Sequence, residues 1–167
     1  FHVHRDAVVL ARLRDELAGV EAPERLAKLP YLGAICQETL RMNPPVPIVL
    51  RRLDAPLTVA GQQCARGDVV GIAVSALHFD PDVWPDPHRF DPQRFLDRRP
   101  SPFEYTPFGG GHRRCVGAAF ANYELAVVLG SIVAATTLHL PEKWDSPPRS
   151  VPRGIAVVPD REIILQA

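Results

Sequence analysis

Apolar positions recur with helical spacing in three segments of the chain, and short apolar runs lie between them. Over residues 6–20, Val9, Leu13, Leu17 and Val20 fall at intervals of four, four and three, one face of an amphipathic helix. Asp6 suits its N-cap and Gly19 its stop. Over residues 31–42 a second stripe consists of Leu32, Ile35, Cys36 and Thr39, with Pro30 at the first turn and Pro44-Pro45 ending the helix. Glu38 and Arg41 are three apart on this helix, so they are neighbours on a face beside the stripe. A third helix is predicted from about 118 to 135, with Ala118, Ala121, Leu125, Val128, Leu129, Ile132 and Val133 tracing its buried face.

Between the second and third helices the period changes. Residues 46–53, 57–59 and 69–75 carry β-branched or apolar residues and read as short strands, with turns at Gly61 and Arg66-Gly67. A short helix near 75–79 follows. Residues 80–107 are proline-rich and have no period. That is too long for an ordinary connection in a compact domain, so the segment is functional or tightly packed. The end of the chain predicts a β-hairpin, 155–158 and 162–165, turning at Pro159-Asp160-Arg161. Together the elements describe a mainly α chain with smaller β-sheets, an α+β fold.

Composition narrows the partners. The 167 residues suffice for one domain with a real core. Nineteen basic residues balance nineteen acidic ones, which gives no electrostatic case for nucleic acid or an anionic membrane. No apolar run approaches the ~20 residues of a membrane span, and no signal peptide is visible. Cys36, Cys64 and Cys115 are widely spaced and include no CxxC pair, so neither a zinc knot nor a disulfide framework is indicated. A reducing compartment is the simplest reading. The chain begins at Phe1 and enters a helix pattern at once, the expectation for a fragment whose beginning is missing.

The segment Phe108-Gly109-Gly110-Gly111-His112-Arg113-Arg114-Cys115-Val116-Gly117 adds chemistry. Its glycines let backbone N–H groups turn inward, two arginines bring positive charge, and the helix that follows directs its N-terminal dipole at the sulfur. These are the conditions of a metal-ligating thiolate. Cys36 and Cys64, on a helix stripe and beside a turn, read as small structural residues. His2, His4, His88, His112 and His139 show no metal spacing.

Three separated motifs share one order. Glu38-Thr39-Leu40-Arg41 fits E-x-x-R. Phe90-Asp91-Pro92-Gln93-Arg94-Phe95 resembles F-x-P-E-R-F, with Gln for Glu at 93. Residues 108–117 fit F-x-x-G-x-R-x-C-x-G at every fixed position. E-x-x-R alone occurs by chance in many helices; the three together are specific. Over essentially the whole chain the sequence resembles the C-terminal part of a cytochrome P450, a haem-thiolate monooxygenase. The resemblance makes residues 1–167 a C-terminal fragment of a single such domain, containing helices J, K and L, the first β-sheet, the meander, the cysteine loop and the terminal hairpin.

That resemblance implies roles for particular residues. Cys115 would be the axial ligand of haem b, iron protoporphyrin IX, where a thiolate favours O–O cleavage. Gly111 and Gly117, with the alanines at 118, 119 and 121, would keep loop and helix thin beneath the macrocycle. Phe108 would pack beside the thiolate and limit water, and backbone donors near the sulfur would tune it. Arg113 and Arg51 would each reach a haem propionate, which an arginine fork suits; His78 is a further, mainly structural, candidate. Arg52 carries no assigned role. Glu38, Arg41 and Arg94 would form a buried triad fixing the meander against the helix. Ile48, Val49 and Leu50 would line an apolar substrate pocket. Arg98, Arg99 and Arg114 form either a basic face for an electron donor or a plain solvated face.

By the same resemblance, the parent protein would insert one oxygen atom from O2 into a small apolar organic substrate, with electrons from a ferredoxin or flavoprotein reductase. The alcohol–acid pair that activates oxygen in the family lies in a helix preceding this chain, so the fragment alone is expected to turn nothing over. Two other readings stay open: a haem-thiolate isomerase or dehydratase that does not use O2, and a non-catalytic haem-binding fragment. The Ala/Arg/Pro-rich style resembles bacterial members, which implies a cytoplasmic protein.

Overall fold

Asp6 starts the first long helix by accepting the N–H groups of Val8 and Val9 at 2.9 and 3.1 Å. The structure is a computed structural model and describes residues 1–144 and 146–167. Its helices are α1 (His2–Arg5), α2 (Ala7–Leu17), α3 (Pro23–Leu26), α4 (Pro30–Met42), α5 (Val74–His78), α6 (Gln93–Asp97) and α7 (Ala118–Ala135). Its strands are β1 (Ile48–Arg52), β2 (Leu57–Val59), β3 (Gln62–Cys64), β4 (Val69–Ala73), β5 (Ser150–Arg153) and β6 (Ala156–Pro159). The architecture is the expected α+β one, with helices dominant and strands in separate two-stranded sheets.

The core forms where α2, α3, α4 and α7 meet. Leu13 and Leu17, Leu26, Leu32 and Ile35, and Ala126 and Val133 make one buried cluster. Gly130 sets the approach of α7: a Cβ there would stand 2.9 Å from Leu32 Cδ2. The buried positions of α7 are therefore the small ones, Ala118, Ala126 and Gly130, together with Val133. This corrects the expected face, since Leu125, Val128 and Ile132 are exposed. The helix is apolar nearly all round, so periodicity alone could not choose its inner side. By length and composition α7 is long and apolar enough to cross a membrane; here it packs on α2, α3 and α4.

The sheets differ from expectation in two places. β1 pairs antiparallel with β4 as the apolar runs suggest, with Leu50 opposite Gly71. β2 pairs with β3, a strand that two glutamines hid from the pattern. Their two-residue turn holds Ala60 and Gly61 at φ 48° and 81°, the left-handed pair of a tight hairpin. At the end of the chain, 156–159 pairs back onto 150–153 rather than forward onto 162–165. Gly154, at φ 66°, makes that turn possible. Pro152 masked the earlier strand in the sequence, because proline is tolerated only where the ladder does not need its missing N–H.

One contact positions α4. Its N-cap residue, Leu29, has no polar side chain, and Glu16 of α2 takes over. The two carboxylate oxygens of Glu16 accept the Tyr31 and Leu32 N–H groups, each at 2.9 Å. Replacing Glu16 by Ala orphans both amides and is expected to cost about 0.5–2 kcal/mol, the range for a lost helix cap, read as a lower urea midpoint.

Candidate functional site

The cysteine loop closes on itself before α7 begins. The Cys115 amide donates to Phe108 O at 2.9 Å, and Arg114 N–H to Gly111 O at 3.2 Å across a 3-10 turn, Gly111–Arg113. Gly109 and Gly111 sit at φ 69° and 61°, where a side chain would be strained. Gly117 has an ordinary φ of −81°. Its value is spatial: a Cβ there would approach Cys115 Sγ to 3.8 Å and begin to cover it. Cys115 is exposed, and so are Val116 and Phe120, the apolar residues one and five positions after it. The Cys115 amide itself is committed to Phe108.

Arg113 is exposed and, among the described residues, makes no ion pair. Arg51, at the exposed end of β1, donates to its neighbour's carbonyl, Leu50 O, at 2.7 Å. Among the described residues neither guanidinium pairs with a carboxylate. Ile48 and Leu50 lie on one face of β1, more than half exposed, and Val49 lies on the other. A cleft of about 750 Å³ borders the cysteine loop, lined by Cys36, Tyr105, Phe108, Gly110, Arg114 and Tyr123 among others. Burial pushes the Cys36 thiol up to about 11, so it stays protonated.

The three charged residues of the other two motifs come together in the core. Arg41 Nε meets Glu38 Oε2 at 2.7 Å and its Nη2 meets Oε1 at 2.9 Å, a bidentate pair with both side chains fully buried. Arg94 Nε reaches Glu38 Oε1 at 3.1 Å. The Asp91 amide donates to the same oxygen at 2.9 Å. Arg41 also donates to the carbonyls of His78 and Pro87 at 2.7 and 2.8 Å, and Arg94 to Pro85 O at 3.1 Å. The guanidiniums thus satisfy carbonyls of the proline-rich segment that no strand or helix serves. The face beside the apolar stripe of α4 is buried as a charged face.

His78 lies in this same interior. It is fully buried, its Nδ1 faces Arg41 O at 3.1 Å, and its Nε2 accepts the Thr106 N–H at 3.0 Å. Both nitrogens are used by main chain, which leaves none for a propionate; the cofactor role considered for His78 is corrected. Arg98 is engaged as well, with Glu104 at 3.0 Å and over the Trp84 ring at 4.8 Å. That removes it from a freely available basic face, whereas Arg99 and Arg114 are exposed.

The sequence profile of the cytochrome P450 family matches residues 2–166. The chain belongs to the cytochrome P450 family. A Mycobacterium tuberculosis protein named "Putative cytochrome P450 137" is 36% identical over 159 residues, which is 95% of this chain and 31% of that protein. "Putative cytochrome P450 138" of the same organism is 43% identical over 123 residues, 73% of this chain and 27% of its own length. The P450 chain described here thus spans about a quarter to a third of the length of these relatives. The family implies haem held by a cysteine thiolate. The residues present fit that group: an exposed thiol, two glycines of its loop held left-handed, and, two residues away, a guanidinium with no ion pair among the described residues.

Reading motifs missed two contributors to this P450 scaffold. Tyr105 donates its hydroxyl to Gln37 O at 3.0 Å, and Glu16 caps α4. Neither has a sequence signal, because each bonds main chain far away in the sequence.

Two outcomes follow from this geometry. Glu38→Ala strands the buried Arg41 charge and is expected to cost ~3–5 kcal/mol in equilibrium unfolding. Glu104→Ala removes the part-exposed Arg98 pair and the acceptor of the Ser101 N–H, and should lower the midpoint by less than Glu38→Ala does. Second, burial lowers His78 from 6.5 to about 4; its bond to the Arg41 carbonyl opposes that fall and the Arg41 charge adds to it. The unfolded chain therefore takes up a proton at His78 that the folded chain refuses. Stability from this group is complete above about pH 6.5 and is lost as pH falls toward 4. His78→Gln should flatten that part of the urea-midpoint profile between pH 7 and pH 4, relative to wild type.

Proposed function

We propose that this chain is the C-terminal, thiolate-bearing part of a single P450 domain, and that the parent protein is a monooxygenase acting on a small apolar organic substrate. The observation that carries this reading is the exposed Cys115, in a glycine-rich loop that leaves its sulfur uncovered. Haem b, when bound, supplies the reduction of O2, with electrons from a ferredoxin or flavoprotein reductase, and thiolate ligation favours O–O cleavage. Cys115 binds the iron. Arg113 and Arg51 hold the propionates, each as a fork with no competing carboxylate among the described residues. Gly111 and Gly117 leave room for the ring, and Phe108 keeps water from the sulfur.

Ile48 and Leu50, on one face of β1, offer an aliphatic wall that favours an apolar substrate and excludes water, with Val49 on the opposite face. Exposed Arg99 and Arg114 give the electron donor a basic face to approach. A cytoplasmic setting agrees with free thiols at Cys36, Cys64 and Cys115.

The test is the reduced carbon monoxide spectrum of the full-length protein. Wild type is expected to show the red-shifted Soret band of a thiolate-ligated haem, and Cys115→Ser to lose it. A band unchanged by that substitution would falsify the assignment. Arg113→Ala is expected to weaken haem retention about tenfold, the effect of losing one charge-assisted hydrogen bond, measured by transfer to apomyoglobin.

A further inference from the structure

We propose that His78 is a positioning residue for Cys115: its imidazole bolts the last turn of α4 to the entry of the cysteine loop and so fixes where the sulfur stands. The proposal rests on reading Cys115 as the haem ligand.

The bonding partners assign the ring without ambiguity. Arg41 O can only accept, so Nδ1 carries the proton; the Thr106 amide can only donate, so Nε2 offers its lone pair. The neutral imidazole is therefore a directional link with one donor and one acceptor. The connection on the α4 side is double, because Arg41 Nη1 donates back to His78 O at 2.7 Å. On the other side Thr106 is two residues from Phe108, whose carbonyl holds the Cys115 amide at 2.9 Å. Pro107 stands between them. It fixes its own φ and restricts Thr106 to extended backbone, so few soft torsions separate the imidazole from the loop. Tyr105 stacks on the His78 ring at 5.3 Å and 23°, and its hydroxyl bonds Gln37 O, a second tie to α4.

The path from the buried ion pair to the thiol is thus continuous: Glu38, Arg41, His78, Thr106, Phe108, Cys115. A residue serving only the packing of the core needs neither ring nitrogen on the loop. Phenylalanine would fill the same space and leave the Arg41 carbonyl and the Thr106 amide without partners.

The experiment uses the full-length holoprotein carrying His78→Phe, His78→Gln, His78→Asn and, as a destabilised control, Leu13→Ala in the distant helical core. Two readouts are taken: the fraction of thiolate-type Soret band in the reduced carbon monoxide complex, and amide hydrogen exchange at Thr106. Glutamine places an acceptor near the Nε2 position; asparagine retains only the shorter reach toward Arg41. The Phe and Asn variants are expected to lose most of the thiolate band and to exchange Thr106 roughly tenfold faster, as for one lost buried hydrogen bond. The Gln variant and Leu13→Ala are expected to keep the band. The proposal is overturned if the Phe variant keeps a full thiolate band, or if Leu13→Ala loses as much. If the Phe variant does not fold, the order of Gln and Asn decides: Asn equal to or better than Gln overturns it. A wild type without a thiolate band would defeat the ligand assignment instead, while Thr106 exchange would still report on the bridge.

Discussion

The carboxylate of Glu38 is the point on which the rest of this structure depends. One of its oxygens accepts from two guanidiniums and a backbone amide; the other completes a bidentate pair. A fully buried carboxylate is tolerable only when its lone pairs are filled this completely. The donors that fill it come from α4, from the backbone at Asp91 and from Arg94 at the start of α6. A single side chain thus joins a regular helix to the segment least able to order itself.

That segment, from the end of α5 to the cysteine loop, has little secondary structure to satisfy its carbonyls. Arginine does the work instead. Arg41 serves His78 and Pro87, Arg94 serves Pro85, and Arg98 serves Val83 at 2.9 Å. Prolines stiffen the chain between these tethers and remove amides that would otherwise need acceptors. Trp84 fills the middle, beneath Arg41 and Arg98 and against Phe95. The proline density that reads in the sequence as a functional or tightly packed segment is the mark of a segment ordered from outside.

How much was legible follows from the range of each interaction. α2, α4 and α7 were readable because their caps, prolines and periods are local; the bounds of α7 coincide with the apolar run at 118–135. The charged triad was readable only through family motifs, since an i,i+3 Glu–Arg pair alone looks like solvated surface. The inner face of α7 was misjudged because small residues, not large ones, face the close neighbours. The final hairpin was shifted because Pro152 disguised a strand. His78 was read as a cofactor candidate, whereas both its ring nitrogens bond main chain: nothing local distinguishes a histidine that bonds two main-chain groups from one that bonds a ligand. The left-handed glycines of the Cys115 loop, by contrast, were legible, because they stand within six residues of the cysteine they serve.

The span of the Glu38–Arg94 contact has a temporal meaning. The two residues are 56 positions apart, and His78 bonds Thr106 across another 28. Closing loops of that length costs entropy before any contact rewards it. The helices can form from neighbours alone, whereas the cysteine loop, closed by its own Phe108–Cys115 bond, is fixed against α4 only once the proline-rich segment and the loop entry have met that helix. The sulfur is thus among the last atoms of this chain to find its place, and a cofactor arriving early would meet a thiol without a seat.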